Sequence, residues 1–160
     1  MILLDELEDL SLLRQFSPLY RKQLAAMAEP KACQKGDCIF REGQNEHKVY
    51  VVVEGEVALE IRVPDIEVVR VHRVGPGDLL GWSPVLGRGS MTATARALTP
   101  CRLAALDAER IRALTERDTR FGMEFFRSMS IALAERLRAT RLQLPDPRLR
   151  QMLGVSEGAD

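Results

Sequence analysis

A mainly-β domain with flanking helices is the fold class this sequence predicts, and three observations predict it. Short β-rich segments recur at roughly 8–12-residue spacing through the middle of the chain. Helical periodicity is confined to the two ends. Turn residues separate the apolar runs, at Lys35-Gly36-Asp37, Glu42-Gly43, Glu54-Gly55, Pro64-Asp65 and Gly75-Pro76-Gly77-Asp78. That pattern suits a sandwich, a barrel or a roll, not a parallel α/β sheet.

Each element has its own signal. Leu3, Leu4, Leu7, Leu10, Leu12 and Leu13 predict an amphipathic helix over 3–15, with Asp5 and Glu6 complementing its dipole. Ser17 as N-cap and Pro18 at the first position start a second helix, with Leu19, Leu24 and Met27 as its buried residues. Glu29-Pro30 ends it. Strands are predicted over 31–34, 38–41, 48–53, 56–63, 66–74 and 101–106. Lys48 to Val53 is the strongest, being β-branched and aromatic. In the next, Val57, Leu59 and Ile61 share one face. Asp107 caps a helix over 108–114.

A long helix then runs from about 119 to 144. Phe126, Ser130, Leu133, Leu137, Thr140 and Leu144 fit a heptad seam. Phe121, Phe125, Met129 and Ala132 form a second apolar edge that can face the strands. A helix apolar on two sides needs two surfaces to bury them. The domain supplies one; a second copy supplies the other, so a homodimer through Phe126, Leu133, Leu137 and Leu144 is expected. Pro145-Asp146-Pro147 ends the helix, giving a domain over 1–144 and a polar, loose tail over 145–160.

Composition narrows the function classes. The 23 basic and 23 acidic residues balance, so no global field attracts nucleic acid or anionic lipid. The acidic start (Asp5, Glu6, Glu8, Asp9) and the basic end (Arg136, Arg138, Arg141, Arg148, Arg150) read as solvated helix faces. Three cysteines, Cys33, Cys38 and Cys101, give no disulfide framework and read as small buried side chains. With no signal-peptide pattern and no apolar run of the roughly 20 residues a membrane span needs, a cytoplasmic location is expected. His47 and His72 lack metal-like spacing, and no nucleophile–base pair, P-loop or Gly-x-Ser-x-Gly is present. The chain therefore reads as no enzyme.

The chain is organised around Gly75 to Ala97. A Pro-Gly turn leads to Leu79-Leu80-Gly81-Trp82-Ser83-Pro84-Val85-Leu86, and then to the small-residue strand Met91-Thr92-Ala93-Thr94-Ala95-Arg96-Ala97. A turn, a tight loop and a strand of small side chains make a cradle in which backbone N–H groups can face an anion.

These residues resemble the cyclic-nucleotide-binding domain of the catabolite-regulator and Fnr-like family. The matching motifs are Gly36 with Ile39 and Glu42-Gly43, then Tyr50-Val51-Val52-Val53-Glu54-Gly55-Glu56-Val57, then Pro76-Gly77-Asp78 and Leu80-Gly81. Ala93 to Ala97 and Ala134-Glu135-Arg136-Leu137-Arg138 complete the set. The resemblance implies an antiparallel eight-stranded β-roll (a double-stranded β-helix) with N-terminal helices and a long C-terminal helix. It implies a ligand pocket at Leu80, Gly81, Trp82, Ser83, Ser90, Met91, Thr92 and, from the last helix, Thr140. It also implies a possible ligand class, a cyclic nucleotide or another small anion.

Two departures bear on function. The family's cassette opens with Phe-Gly-Glu, whose glutamate accepts the ribose 2′-hydroxyl; here Leu80-Gly81 is followed by Trp82. Met91 falls where the family carries the arginine that pairs with the cyclic phosphate. Arg88 lies three residues before it. A buried phosphate needs a cation, usually a bidentate arginine, so the cradle reads as stripped of its charge partners. The expectation is a non-enzymatic regulatory or sensor module whose pocket departs from the family pattern, acting on an unknown protein partner. The alternatives are a ligand-independent association module and a fragment of a Crp/Fnr-type transcription regulator. The 16 residues after Leu144 hold no helix-turn-helix pattern, so direct DNA binding by this chain is not expected.

Overall fold

Eight strands pair into two four-stranded antiparallel sheets, in the computed structural model that describes residues 4–65, 68–87 and 90–142. The strands are β1 (Glu29–Cys33), β2 (Cys38–Phe40), β3 (Lys48–Glu54), β4 (Val57–Arg62), β5 (Val68–Val74), β6 (Leu79–Leu80), β7 (Thr94–Ala97) and β8 (Cys101–Asp107). One sheet has the order β1-β8-β3-β6 and the other β2-β7-β4-β5. Before them come α1 (Leu4–Glu8), α2 (Ser11–Arg14) and α3 (Pro18–Met27); after them come α4 (Ala108–Arg117) and α5 (Thr119–Leu142). This is the β-roll with flanking helices that the sequence predicts.

The continuous apolar runs of β3 and β8 have a structural reason: both faces of their sheet are buried. Tyr50 and Val52 of β3, with Leu103 and Ala105 of β8, join Val57, Leu59, Val74, Leu80 and Ala95 between the sheets. Val49, Val51, Ala104 and Leu106 point the other way, into a second core beneath the helices. Aromatic rings tie that second core together. Phe121 of α5 lies 5.3 Å from Tyr20, 6.1 Å from Phe16 and 5.8 Å from Phe125, centroid to centroid.

Several boundaries differ from the sequence reading. The single helix over 3–15 is two, because Leu10 is extended (φ −69°, ψ 137°) between α1 and α2. That kink turns Leu7, Leu10 and Leu13 onto one core. In α3, Tyr20 and Leu24 are buried, while Leu19 is 62% exposed and Met27 only partly covered. Ser17 sits at the N-cap without a capping bond; its N–H and hydroxyl donate to Glu124 of α5 instead. The rotation of α3 is thus fixed by a helix far away in sequence. Pro30 lies inside β1, which tolerates it because β1 is an edge strand. Asp107 caps α4 by accepting the Arg110 N–H at 2.9 Å. Leu144 and the expected tail fall outside the described residues.

Candidate ligand site

The cradle is built by three elements. β6 leaves β3 at Leu79 and Leu80, paired with Val51 and Tyr50. Trp82 to Gly87 makes one tight turn, in which the Trp82 carbonyl accepts the Val85 N–H at 3.1 Å. The chain returns at Met91, whose N–H donates to Gln44 O at 2.9 Å and whose carbonyl accepts the Gly43 N–H at 2.8 Å. Gly81 sits at φ +76°, and a Cβ there would stand 3.3 Å from the Met91 methyl and 3.4 Å from Lys48 O. The positive φ favours glycine, and a side chain there would also press on the Met91 methyl.

The cavity these residues enclose measures about 30 Å³. Gly81, Trp82, Ser83, Met91 and Thr92 line it, with Phe40, Leu59, Ala93 and Arg136. Of the other expected pocket residues, Leu80 is fully buried between the sheets, away from the lining. Ser90 is exposed and bridges to Asn45. Thr140 does not reach the cavity; its hydroxyl donates to Arg136 O at 2.8 Å along its own helix. Arg88 lies outside the described residues. Met91 is only 4% exposed and fills space between the sheets.

The sequence reading leaves the cradle without a cation and places Arg136 on a solvated face. The structure corrects both points. Arg136 reaches inward from α5, donates to Leu79 O and forms one wall of the cavity. Burial disfavours its charge, which the Asp78 carboxylate offsets only in part. It makes no ion pair among the described residues. The signal was present in the helical period. Phe121, Phe125, Met129 and Ala132 define the inner edge of α5, and Arg136 is its next position, four residues on.

Nearby groups are shifted in ways that burial explains. His72, opposite Leu59 in the β4–β5 ladder, makes no hydrogen bond through its buried Nδ1. Its pKa is lowered by burial and then by Arg136. Burial pushes the Tyr50 hydroxyl up to about 12. No group of three or more His, Cys, Asp or Glu that could hold a metal occurs among the described residues. No helix among them is long and apolar enough to cross a membrane.

Comparison with known proteins places this geometry. The family model described as the cyclic nucleotide-binding domain matches residues 30–118, more than half of the chain. A CRP-like cAMP-activated global transcriptional regulator of Mycobacterium tuberculosis is 26% identical over 123 residues, 77% of this chain and 53% of that protein. The chain thus spans about half the length of that relative. The solved N-terminal domain of a transcriptional regulator from Streptomyces coelicolor superposes with a TM-score of 0.68 at 26% identity, over 89% of this chain and 99% of that one. The catabolite activator protein of Thermus thermophilus gives 0.69 at 25% identity, over 89% and 62%. The roll, the cradle between its sheets and the matched span together show that this chain belongs to the cyclic nucleotide-binding domain family.

Proposed function

We propose that this chain is a non-enzymatic regulatory domain that senses a small anionic ligand, cyclic nucleotides first among them, with Arg136 of α5 supplying the cation its cassette lacks. One observation carries the reading: a half-buried guanidinium in the cradle wall, with no ion pair among the described residues. A desolvated charge costs free energy unless paired. An incoming phosphate removes that cost and accepts the guanidinium's paired donors. Trp82 gives the ligand an aromatic wall and Thr92 a hydroxyl donor.

The cavity as it stands is far below the roughly 300 Å³ at which sites for drug-sized ligands begin. A nucleotide must therefore displace Met91 and pull Arg136 off Leu79 O. Arg136 is carried by α5, so its retreat shifts the helix that a partner reads. Entry of ligand and movement of α5 are then one event. That partner includes a second copy of the chain, docked along the exposed stripe of α5.

A second reading, ligand-independent association, is favoured by the closed cavity and by Met91 packed into it. Isothermal titration with cyclic AMP, cyclic GMP and cyclic dinucleotides separates the two. Sensing predicts a Kd of about 10 µM or tighter for at least one of them, weakened roughly tenfold or more by Arg136→Gln. No heat across the panel at about 1 mM ligand leaves the association reading in place.

A further inference from the structure

Behind the cradle lies a second cavity of about 200 Å³. Ser11 and Gln15, at the two ends of α2, His72 of β5, the Gly77-Asp78 turn and the inner edge of α5 enclose it, and Arg136 walls both cavities. Its volume equals that of about six or seven liquid waters, enough for a small ion with part of its hydration and too little for a drug-sized ligand.

The charges in its wall are arranged by depth. Arg136 and His72 carry the groups left short of partners: the guanidinium donates to Leu79 O but makes no ion pair, and the imidazole Nδ1 makes no hydrogen bond, among the described residues. Arg73 is engaged elsewhere, with Glu56 at 3.5 Å. The two carboxylates stand at the rim. Asp78 is exposed and accepts the Gly75 N–H at 3.0 Å, and Glu135 is exposed on α5. Ser11 offers a hydroxyl whose nearest acceptor, Gly77 O, is 3.5 Å away. A cation without a counter-charge sits in the wall, while both carboxylates are exposed.

We propose that this rear cavity is a second ligand site, separate from the cradle, which takes a small tetrahedral oxyanion of the phosphate type between Arg136 and His72. The oxyanion supplies the counter-charge that the guanidinium lacks and an acceptor for a protonated imidazole. Burial and then Arg136 lower the His72 pKa, and Asp78 opposes them. A bound anion reverses the balance. The groups facing His72 across the cavity are Arg136 and Glu135 from α5 and Asp78 from the turn, with Arg73 its neighbour on β5. Arg136 walls both cavities, so a cradle ligand and the oxyanion compete for one guanidinium, but no cradle ligand is needed for the rear site to bind.

The two histidines, His47 and His72, make the test selective. Their imidazole resonances are followed by NMR against pH in about 20 mM inorganic phosphate, in phenyl phosphate and in chloride at matched ionic strength, since screening alone moves exposed charges. The expected result is a rise of about one pH unit in the His72 midpoint in phosphate, with the exposed His47 unmoved. Arg136→Gln abolishes the rise and Arg136→Lys retains part of it; both are first checked for the native fold by circular dichroism. A rise with inorganic phosphate but not the phenyl ester assigns the site to the free ion, and a rise with both assigns it to a phosphoryl group. Equal shifts at both histidines, no shift in either phosphate, or a full shift in Arg136→Gln would overturn the proposal. No nucleotide enters the experiment, so its failure and the failure of cyclic-nucleotide sensing are read separately.

Discussion

Met91 and Arg136 decide what the cradle can do, and they act in opposite senses. Met91 is an apolar plug: 4% exposed, packed between the sheets and close against Gly81. Truncating it removes burial and leaves a void, so Met91→Ala should lower stability by about 2–4 kcal/mol. The same void makes room for a ligand without displacing a side chain. Under the sensing reading, Met91→Ala therefore binds a cyclic nucleotide more tightly than the wild type while melting earlier. Calorimetry for the melt and titration for the affinity check the pair. A variant that melts earlier with no gain in affinity shows that the plug is not what limits entry. Arg136→Gln gives the complementary case, in which the cavity keeps its shape and the cation is gone.

At the scale of elements, the helices at the two ends of the chain are held together by polar groups as well as rings. Asp118, just before α5, accepts the Phe121 N–H at 3.1 Å and the Tyr20 hydroxyl of α3 at 3.0 Å. These bonds, the Phe121 N–H first, hold its carboxyl below the usual carboxylate range. A depressed native pKa stabilises the fold above the unfolded value of about 3.9 and loses that contribution as pH falls through the native value. Melting temperatures between pH 6 and pH 2 should thus fall less steeply for Asp118→Asn than for the wild type; parallel curves would show that the bonds do not discriminate between the two protonation states. How much was legible in the sequence divides along the same line. Strands β3 and β4, the turns at Gly36, Gly43 and Gly55, the cap at Asp107 and the two apolar edges of α5 follow from local pattern, and the structure has them. The burial of Tyr20 in place of Leu19 is set by Asp118 and Phe121, roughly a hundred residues away, and the break at Leu10 has no glycine or proline in the sequence to mark it. Arg136 was obscured for another reason. A pattern of polarity counts an arginine as solvent-facing, whereas the helical phase puts it on the inner edge, one step beyond Ala132.

At the scale of the whole molecule, the described residues leave an apolar stripe of α5 exposed. Along α5, Met123 (55% exposed), Phe126 (41%), Ser130 and Leu137 (53%) share a stripe with alternating three- and four-residue spacing, and Leu133 lies between them, partly packed on its own core. Ile131 and Leu142 are exposed off that stripe, and Leu144 lies outside the described residues. The stripe has the heptad form that pairs helices. It lies about a third of a turn round the helix from Phe121, Phe125 and Met129, which are buried in the domain. The 24-residue helix is about 36 Å long, so two copies side by side join over only about three heptads. Such a contact sits near the lower limit of roughly 1,200 Å² for specific interfaces. A dimer with a micromolar Kd is therefore expected, not an obligate one. Light scattering at about 100 µM should give twice the chain mass, and Leu137→Glu combined with Phe126→Glu should give the single-chain mass with a little-changed far-ultraviolet spectrum, because both side chains are exposed and Phe126 meets the core only through an edge contact with Phe125. The inner edge of the same helix carries Arg136, so under the sensing reading a ligand that pairs with the guanidinium and draws it off Leu79 O also shifts the stripe. Dimer affinity then changes with ligand, and linkage requires the ligand's affinity to change by the same factor on dimerisation. A wild-type chain that scatters as a monomer at that concentration, with and without the ligand that titration identifies, would remove the second copy as the reader of α5.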